Sequence, residues 1–331
     1  MAIDTIKLFA CDFNFSMVGD QPRPSLPQDW ANVDPGEYFD WHIEFGNNLA
    51  FCHAYTYCGY AFYPSRLGPV APGPGSKLLP SLYEISRDRG VPFWSYFCVG
   101  ADLTMMALRP SWKVPGTNFM APEGPWTNLL CDRVREFLSM YPVDWILFDW
   151  FVYGNLEKEG SPVGFSPFSS RRFRDVIGRE LPRDPSRVPR DDEITYKREV
   201  LASQFREIQR VVKETSSCTK VIFNVPYREP SGAIWSNHPM LRESDGLFSE
   251  CTDNSIMEWL LTVRKPGQRV MTTIRGGAGE DLKGDPRQWR RWYDRGCDFM
   301  GYAFGTPPDF RPHPIYREDV DLVRESFSRM D

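Results

Sequence analysis

Val143-Asp144-Trp145-Ile146-Leu147-Phe148-Asp149-Trp150 is the stretch of sequence that decides the fold. It holds an uninterrupted apolar run between two acids, a pattern typical of a buried strand in a parallel sheet. The stretch Asp245-Gly246-Leu247-Phe248-Ser249-Glu250 repeats the arrangement, with one acid before the apolar residues and another at the end. Both stretches therefore predict buried strands that carry a carboxylate at each end.

The two ends of such a strand have different expected roles. At about 3.3 Å per residue, the two acids of one strand lie roughly 16 Å apart, on opposite rims of the sheet. Functional residues gather at the carboxyl ends of parallel strands, whereas the amino ends serve stability. Asp149 and Glu250 are therefore the candidate catalytic acids. Asp144 and Asp245 are predicted to be loop or cap residues.

Apolar runs of this kind recur along the chain with helical patterns between them. The predicted strands cover residues 6–13, 48–54, 92–99, 144–149, 220–225, 246–251, 269–274 and 298–302. Eight such strands alternating with helices predict an α/β fold, the closed (β/α)8 TIM barrel. We predict a single catalytic domain over residues 1–331, with long rim loops and a loop excursion at about 153–196.

Composition excludes several classes of partner. The 331 residues are 41% hydrophobic and 25% charged, with a net charge of −5. An excess of acid gives no general basic surface for nucleic acid, and no run of about 18 apolar residues offers a membrane span. The chain starts without a secretion-signal pattern, and its cysteines form no C-x-x-C pair. We therefore expect a cytoplasmic protein with reduced cysteines and neither a nucleic-acid nor a membrane partner.

Further polar and aromatic side chains fall at the predicted carboxyl-end rim, where they are candidates for substrate binding. An aromatic content of 15% suits a sugar-stacking cleft as well as a large core. His53 and Trp150 each have a core alternative as well. No cofactor is expected, because Gly276-Gly277-Ala278-Gly279 lacks the spacing of a phosphate-binding loop. The candidates are Asp12, Asn14, His53, Tyr96, Asp102, Trp150, Asn224, Tyr227, Arg275 and Tyr302.

A family resemblance rests on residues 48–150. It is carried by Asn48-Leu49-Ala50-Phe51-Cys52-His53-Ala54, by residues 57–68 and 89–102, and by the strand that ends at Asp149. This part of the chain resembles the hypothetical glycosyl hydrolase 6 family, which is similar to α-L-fucosidases and α-amylase-type barrels. The resemblance implies a glycosidase-like barrel. It also implies a nucleophile at Asp149, because the better-known relatives carry an Asp at the end of the fourth strand.

The sequence thus predicts a retaining glycoside hydrolase acting on a small glycoside or oligosaccharide, with Asp149 as nucleophile and Glu250 as acid/base. Two alternatives stay open. One is a metal-assisted sugar isomerase, epimerase or lyase that uses Asp12, His53 and Glu250. The other is a non-catalytic carbohydrate-binding barrel, because a fold does not prove an activity. A homodimer is also compatible with the aromatic-rich helices.

Overall fold

The computed structural model describes residues 4–153, 165–225, 234–235, 237–250, 254–275 and 288–330. Eight of its strands form one parallel sheet, and two short hairpins lie beside that sheet. The sheet strands are β1 (Lys7–Cys11), β4 (Ala50–Tyr55), β5 (Phe93–Cys98), β6 (Trp145–Asp149), β7 (Lys220–Asn224), β8 (Gly246–Ser249), β9 (Arg269–Arg275) and β10 (Asp298–Ala303). The hairpins are β2 (Phe15–Val18) with β3 (Gln21–Pro24), and β11 (Gly305–Thr306) with β12 (Asp309–Pro312).

Ten α-helices occupy the described residues. They are α1 (Pro35–Phe45), α2 (Leu78–Asp88), α3 (Leu103–Leu108), α4 (Pro125–Met140), α5 (Ser169–Ile177), α6 (Arg190–Thr215), α7 (Met240–Glu243), α8 (Asn254–Val263), α9 (Trp289–Tyr293) and α10 (Arg317–Ser328). Their apolar stripes face inward, as in α2, where Leu78, Leu79 and Leu82 are buried. Among these helices, none combines the length and the apolar character that crossing a membrane requires.

The sheet is wound into a nearly closed barrel. Hydrogen bonds run in the order β1-β10-β9-β8-β7-β6-β5-β4, all parallel. Asparagine side chains bridge the remaining seam between β1 and β4: Asn47 accepts from the backbone of Phe9 at 2.8 Å and donates to it at 2.9 Å. Asn48 accepts from the N–H of Lys7 at 3.0 Å. The eight predicted strands are thus confirmed, and the arrangement is consistent with the predicted (β/α)8 barrel.

The acids at the amino ends of the strands satisfy backbone groups of neighbouring strands. Asp144 accepts from the N–H of Phe93 at 2.8 Å, and Asp245 accepts from the N–H of Val221 at 2.9 Å. The first N–H groups of parallel strands lack partners within the ladder, so these carboxylates stabilise the rim. The prediction that Asp144 and Asp245 are loop or cap residues at the amino-end rim is therefore confirmed, whereas Asp149 and Glu250 lie at the opposite rim.

Candidate active site

A cavity of about 300 Å³ opens at the carboxyl ends of the barrel strands. Its wall combines three carboxylates with one imidazole, two amides and a large apolar surface. The residues that line it are Ala10, Asp12, Asn14, Phe15, Phe51, His53, Tyr96, Leu147, Asp149, Trp150, Phe151, Val152, Asn224, Phe248, Glu250, Met300, Tyr302 and Phe304. A small, mostly apolar cavity with a few convergent polar groups is typical of a ligand site.

Asp149 ends β6 and is buried in the floor of this cavity. Three donors hold its carboxyl group. One oxygen accepts from the Asn224 amide at 2.7 Å and from the N–H of Trp150 at 2.7 Å. The other oxygen accepts from the Tyr96 hydroxyl at 2.9 Å. Burial raises the pKa of Asp149, and the charge of Asp12 adds to this rise, whereas the three donors oppose it.

Glu250 follows β8 directly, and its carboxyl group shares a donor with Asp149. The Asn224 amide nitrogen lies 2.7 Å from an Asp149 oxygen and 3.2 Å from a Glu250 oxygen. The sum of these distances limits the separation of the two oxygens to about 6 Å. Burial raises the pKa of Glu250 well above its ordinary value, and the negative charges of Asp149 and Asp12 raise it further.

A third carboxylate, Asp12, pairs with His53 across the end of the first strand. The His53 Nε2 atom lies 3.3 Å from an Asp12 oxygen, and the ring is buried beside the ring of Tyr96 at 4.6 Å. The second ring nitrogen, Nδ1, is buried and has no hydrogen-bond partner among the described residues. His53 therefore has one nitrogen committed to Asp12.

The backbone at Trp150 departs from ordinary geometry. Its φ of 56° lies in the left-handed region, which residues other than glycine seldom adopt. The carbonyl oxygen of Trp150 also lies against Gly100, so close that a Cβ atom at that position would overlap it. This turn aims the Trp150 N–H back at the Asp149 side chain. Strained backbone of this kind is concentrated at functional sites.

The cavity brings together most of the side chains that the sequence singles out. Nine of the twelve line it: Asp12, Asn14, His53, Tyr96, Asp149, Trp150, Asn224, Glu250 and Tyr302. Arg275 ends β9, and the structure does not describe its side chain. Tyr227 and the glycine stretch 276–279 lie outside the described residues.

The placement of Asp102 corrects a prediction. Its side chain is buried away from the cavity, where it pairs with Arg133 at 2.6 Å. It also accepts from the N–H of Met105 at 2.7 Å and so caps α3. Both oxygens are therefore used by the fold, and Asp102 acts as a structural residue rather than a substrate ligand.

Sequence reasoning missed the apolar floor of the cavity. Ala10, Phe51, Leu147, Phe248 and Met300 all line it. Each stands on a strand, two positions before a polar lining residue that lies on that strand or directly after it, as Leu147 does before Asp149. Because side chains two apart on a strand share a face, this spacing is a signal that the sequence contains.

Asp12, His53 and Glu250, the three ligands of the metal-assisted alternative, do not come together as a metal site. In the parts of the chain that the structure describes, no three His, Cys, Asp or Glu side chains converge in a way that would hold a metal ion. Asp12 and His53 contact each other, while Glu250 shares its donor with Asp149. The geometry therefore groups Glu250 with Asp149 and not with the other two.

Comparison with known proteins gives a likeness of fold. No family model and no curated protein matches the chain, so the resemblance to the hypothetical glycosyl hydrolase 6 family is not confirmed. The α-L-fucosidase isoenzyme 2 from Paenibacillus thiaminolyticus is similar over 98% of this chain and 49% of its own, with TM-score 0.62 and 16% identity. Unliganded α-L-fucosidase AlfC from Lactobacillus casei is similar over 90% of this chain and 80% of its own, with TM-score 0.50 and 12% identity. The chain thus spans about half the length of the Paenibacillus protein.

Proposed function

We propose that this protein is a retaining glycoside hydrolase in which Asp149 is the nucleophile and Glu250 is the acid/base residue. The observation that carries the proposal is the unequal environment of two neighbouring carboxyl groups. Among the residues that the structure describes, Asp149 accepts hydrogen bonds from three donors, whereas Glu250 accepts one from the shared Asn224 amide. Donors favour the charged form of a carboxyl group, so the first proton to leave the pair comes from Asp149. A charged and a protonated carboxyl group side by side are what retaining hydrolysis uses.

The reaction then follows from the positions of the two groups. An Asp149 oxygen bonds to the anomeric carbon while the bond from that carbon to the leaving oxygen breaks. The leaving oxygen takes the proton of Glu250. Asp149 is then a neutral ester, so the repulsion that raises the pKa of Glu250 falls. Glu250 accepts a proton from water, the water oxygen bonds to the anomeric carbon, and Asp149 is released as a carboxylate.

The carboxyl separation favours retention over inversion. Retaining enzymes place the two groups about 5 to 5.5 Å apart, and inverting enzymes place them roughly 6.5 to 9.5 Å apart to admit a water molecule. The shared Asn224 amide keeps the nearest oxygens within about 6 Å. A pH–rate profile with two limbs should follow, the acidic limb set by Asp149 and the basic limb by Glu250.

The lining of the cavity supports a small neutral sugar as the substrate. Three carboxylates disfavour an anionic sugar, and the apolar floor suits the less polar face of a neutral one. The solved structures of similar fold are of proteins named α-L-fucosidases, so an α-L-fucoside is the first compound to try. The cavity volume, at the low end for ligand sites, favours a small glycoside.

The test is hydrolysis of a panel of 4-nitrophenyl glycosides that starts with the α-L-fucoside. We expect release of nitrophenol from one sugar by the wild-type protein, and none by Asp149→Asn. Asp144→Asn is the matched control, because it removes an acid from the other end of the same strand. Activity that chelation abolishes would support the metal-assisted alternative instead. Tight sugar binding without turnover, unchanged in Asp149→Ala, would support a binding protein.

A further inference from the structure

The amide of Asn14 has a fixed orientation. Its side chain is buried, and the oxygen accepts from the backbone N–H of Tyr57 at 2.7 Å. A backbone N–H can only donate, so the oxygen of the amide must face Tyr57. The amide nitrogen must then face the opposite direction, where the Tyr96 hydroxyl lies 3.1 Å away.

This orientation determines where the Tyr96 proton goes. An amide nitrogen can only donate, so the hydroxyl oxygen of Tyr96 accepts from Asn14. The hydroxyl has a single proton, and its other partner is the Asp149 oxygen at 2.9 Å. That proton therefore points at Asp149.

We propose that Asn14 is a positioning residue that directs the Tyr96 proton onto Asp149, with the direction set by the backbone of Tyr57. The effect on turnover rests on the proposed function, whereas the direction of the hydrogen bonds does not. Asn14 and Tyr96 are thus engaged with the protein rather than reserved for sugar hydroxyls. Tyr96 supplies the donor to one Asp149 oxygen, and the Asn224 amide and the Trp150 N–H supply donors to the other.

The charges around Asp149 make this donor important. Among the described side chains, the titratable groups that line the cavity with Asp149 or act on it are Asp12 after β1, His53 on β4, Tyr96 and Cys98 on β5, Glu250 after β8 and Tyr302 on β10. The charge of Asp12 opposes ionisation of Asp149, and one nitrogen of His53 is engaged by Asp12. The fixed donors oppose this effect and favour the charged form that a carboxylate nucleophile needs.

The variant that tests the proposal is Asn14→Asp, which keeps the shape of the side chain. One carboxylate oxygen can still accept from Tyr57, but the other now faces Tyr96 as an acceptor. The Tyr96 proton is expected to turn away from Asp149. Titration of the Asp149 carboxyl carbon by ¹³C NMR, assigned by its loss in Asp149→Asn, should then shift to higher pH. The kcat/KM for an aryl glycoside should fall by about 10- to 100-fold, the worth of one hydrogen bond to a charged group.

The new negative charge at residue 14 also raises the pKa of Asp149 directly, by repulsion. To separate this effect from the loss of the Tyr96 hydrogen bond, Asn14→Asp is also made in a Tyr96→Phe background. We expect Asn14→Asp to shift the titration midpoint of Asp149 less in the Tyr96→Phe background than in the wild-type protein. In that background the hydroxyl that donates to Asp149 is already absent. Equal shifts in both backgrounds would mean that charge alone acts and would overturn the proposal. A protein without glycosidase activity that shows the unequal shifts would contradict the proposed function but not the positioning role.

A second measurement covers the case in which Asn14→Asp does not fold. The hydroxyl proton of Tyr96 in the wild-type protein is assigned in ¹H NMR by its loss in Tyr96→Phe. If it is donated to a carboxylate, its resonance should move upfield in Asp149→Asn, where a neutral amide replaces the charge. A resonance that does not move would overturn the proposed direction.

Discussion

Asp149 and Glu250 accept hydrogen bonds from the same side-chain nitrogen, that of Asn224, although Asp149 ends β6 and Glu250 follows β8. Because β7 lies between β6 and β8, the last residue of the middle strand reaches both acids. This contact holds the half-buried carboxyl group of Glu250 close to the buried one of Asp149, and the charge of Asp149 raises the pKa of Glu250.

Replacement of Glu250 by Gln tests the acid role. The kcat/KM for glycosides with poor leaving groups should fall by about 10²- to 10⁴-fold, because their leaving oxygen needs a proton. Aryl glycosides with activated leaving groups should be slowed far less. A series of aryl glycosides that differ in leaving-group pKa measures the contrast. Equal slowing across the series would remove Glu250 from the acid role and make Asp12 the next carboxylate to test.

The same variant has a predicted effect on stability. The pKa of Glu250 is raised in the folded protein, so its contribution to stability is full below the unfolded value of about 4.3 and is lost as the pH rises through the folded pKa. Glu250→Gln should therefore raise the free energy of unfolding at pH 8 by on the order of 1 kcal/mol. Urea denaturation at pH 8 and pH 4 measures this. A gain of the same size at both pH values would contradict the assigned cause.

The contact between Gly100 and Trp150 predicts that no side chain is tolerated at residue 100. A methyl group there overlaps the Trp150 carbonyl, so Gly100→Ala should lower the free energy of unfolding by about 1–3 kcal/mol. Turnover should also fall, because the Trp150 N–H would leave Asp149. Gly36→Ala in α1 is the control, since the nearest atom to its new methyl group is a side-chain oxygen at 3.3 Å. Wild-type behaviour of Gly100→Ala would show that this turn does not position Asp149.

Asp102 is predicted to matter for stability and not for chemistry. Its partner Arg133 is buried, so Asp102→Asn should cost about 3–5 kcal/mol of unfolding free energy. The control is Asp132→Asn, which breaks an exposed pair with Arg135 on the same helix and should cost at most about 1 kcal/mol. Activity per folded molecule should be preserved in both variants. A loss of kcat in Asp102→Asn but not in Asp132→Asn would show that Asp102 takes part in the chemistry.

The barrel strands could be predicted because their signals are local. Each predicted strand overlaps an observed one, and the strand bearing Asp149 ends at the predicted residue. The hairpin β2–β3 was missed because its residues Gln21–Pro24 alternate with proline, which reads as a loop. The bridging of the barrel seam by Asn47 was missed as well, since nothing in the local pattern indicates a contact with Phe9 on another strand.

Position along a strand was enough to find the catalytic candidates, but not the partners of each side chain. Asp149 and Asp102 both follow apolar runs, yet one lies in the cavity and the other pairs with Arg133. Arg133 lies 31 residues beyond Asp102 on a helix, and no spacing rule predicts that contact. The engagement of Asn14 with Tyr57 is likewise a tertiary contact between residues 43 apart in the chain.

The most direct measurement is the identification of a covalent bond between the sugar and Asp149. The protein is incubated with an activated 2-deoxy-2-fluoro glycoside of the sugar that the panel identifies, quenched in acid, digested and sequenced by mass spectrometry. We expect the label on the peptide that carries Asp149 in the wild type and in Asp144→Asn, and no label in Asp149→Asn, whose turnover should be lower by at least about 10⁴-fold. A label on another residue, or hydrolysis with inversion and no label, would contradict the assignment of Asp149 as the nucleophile.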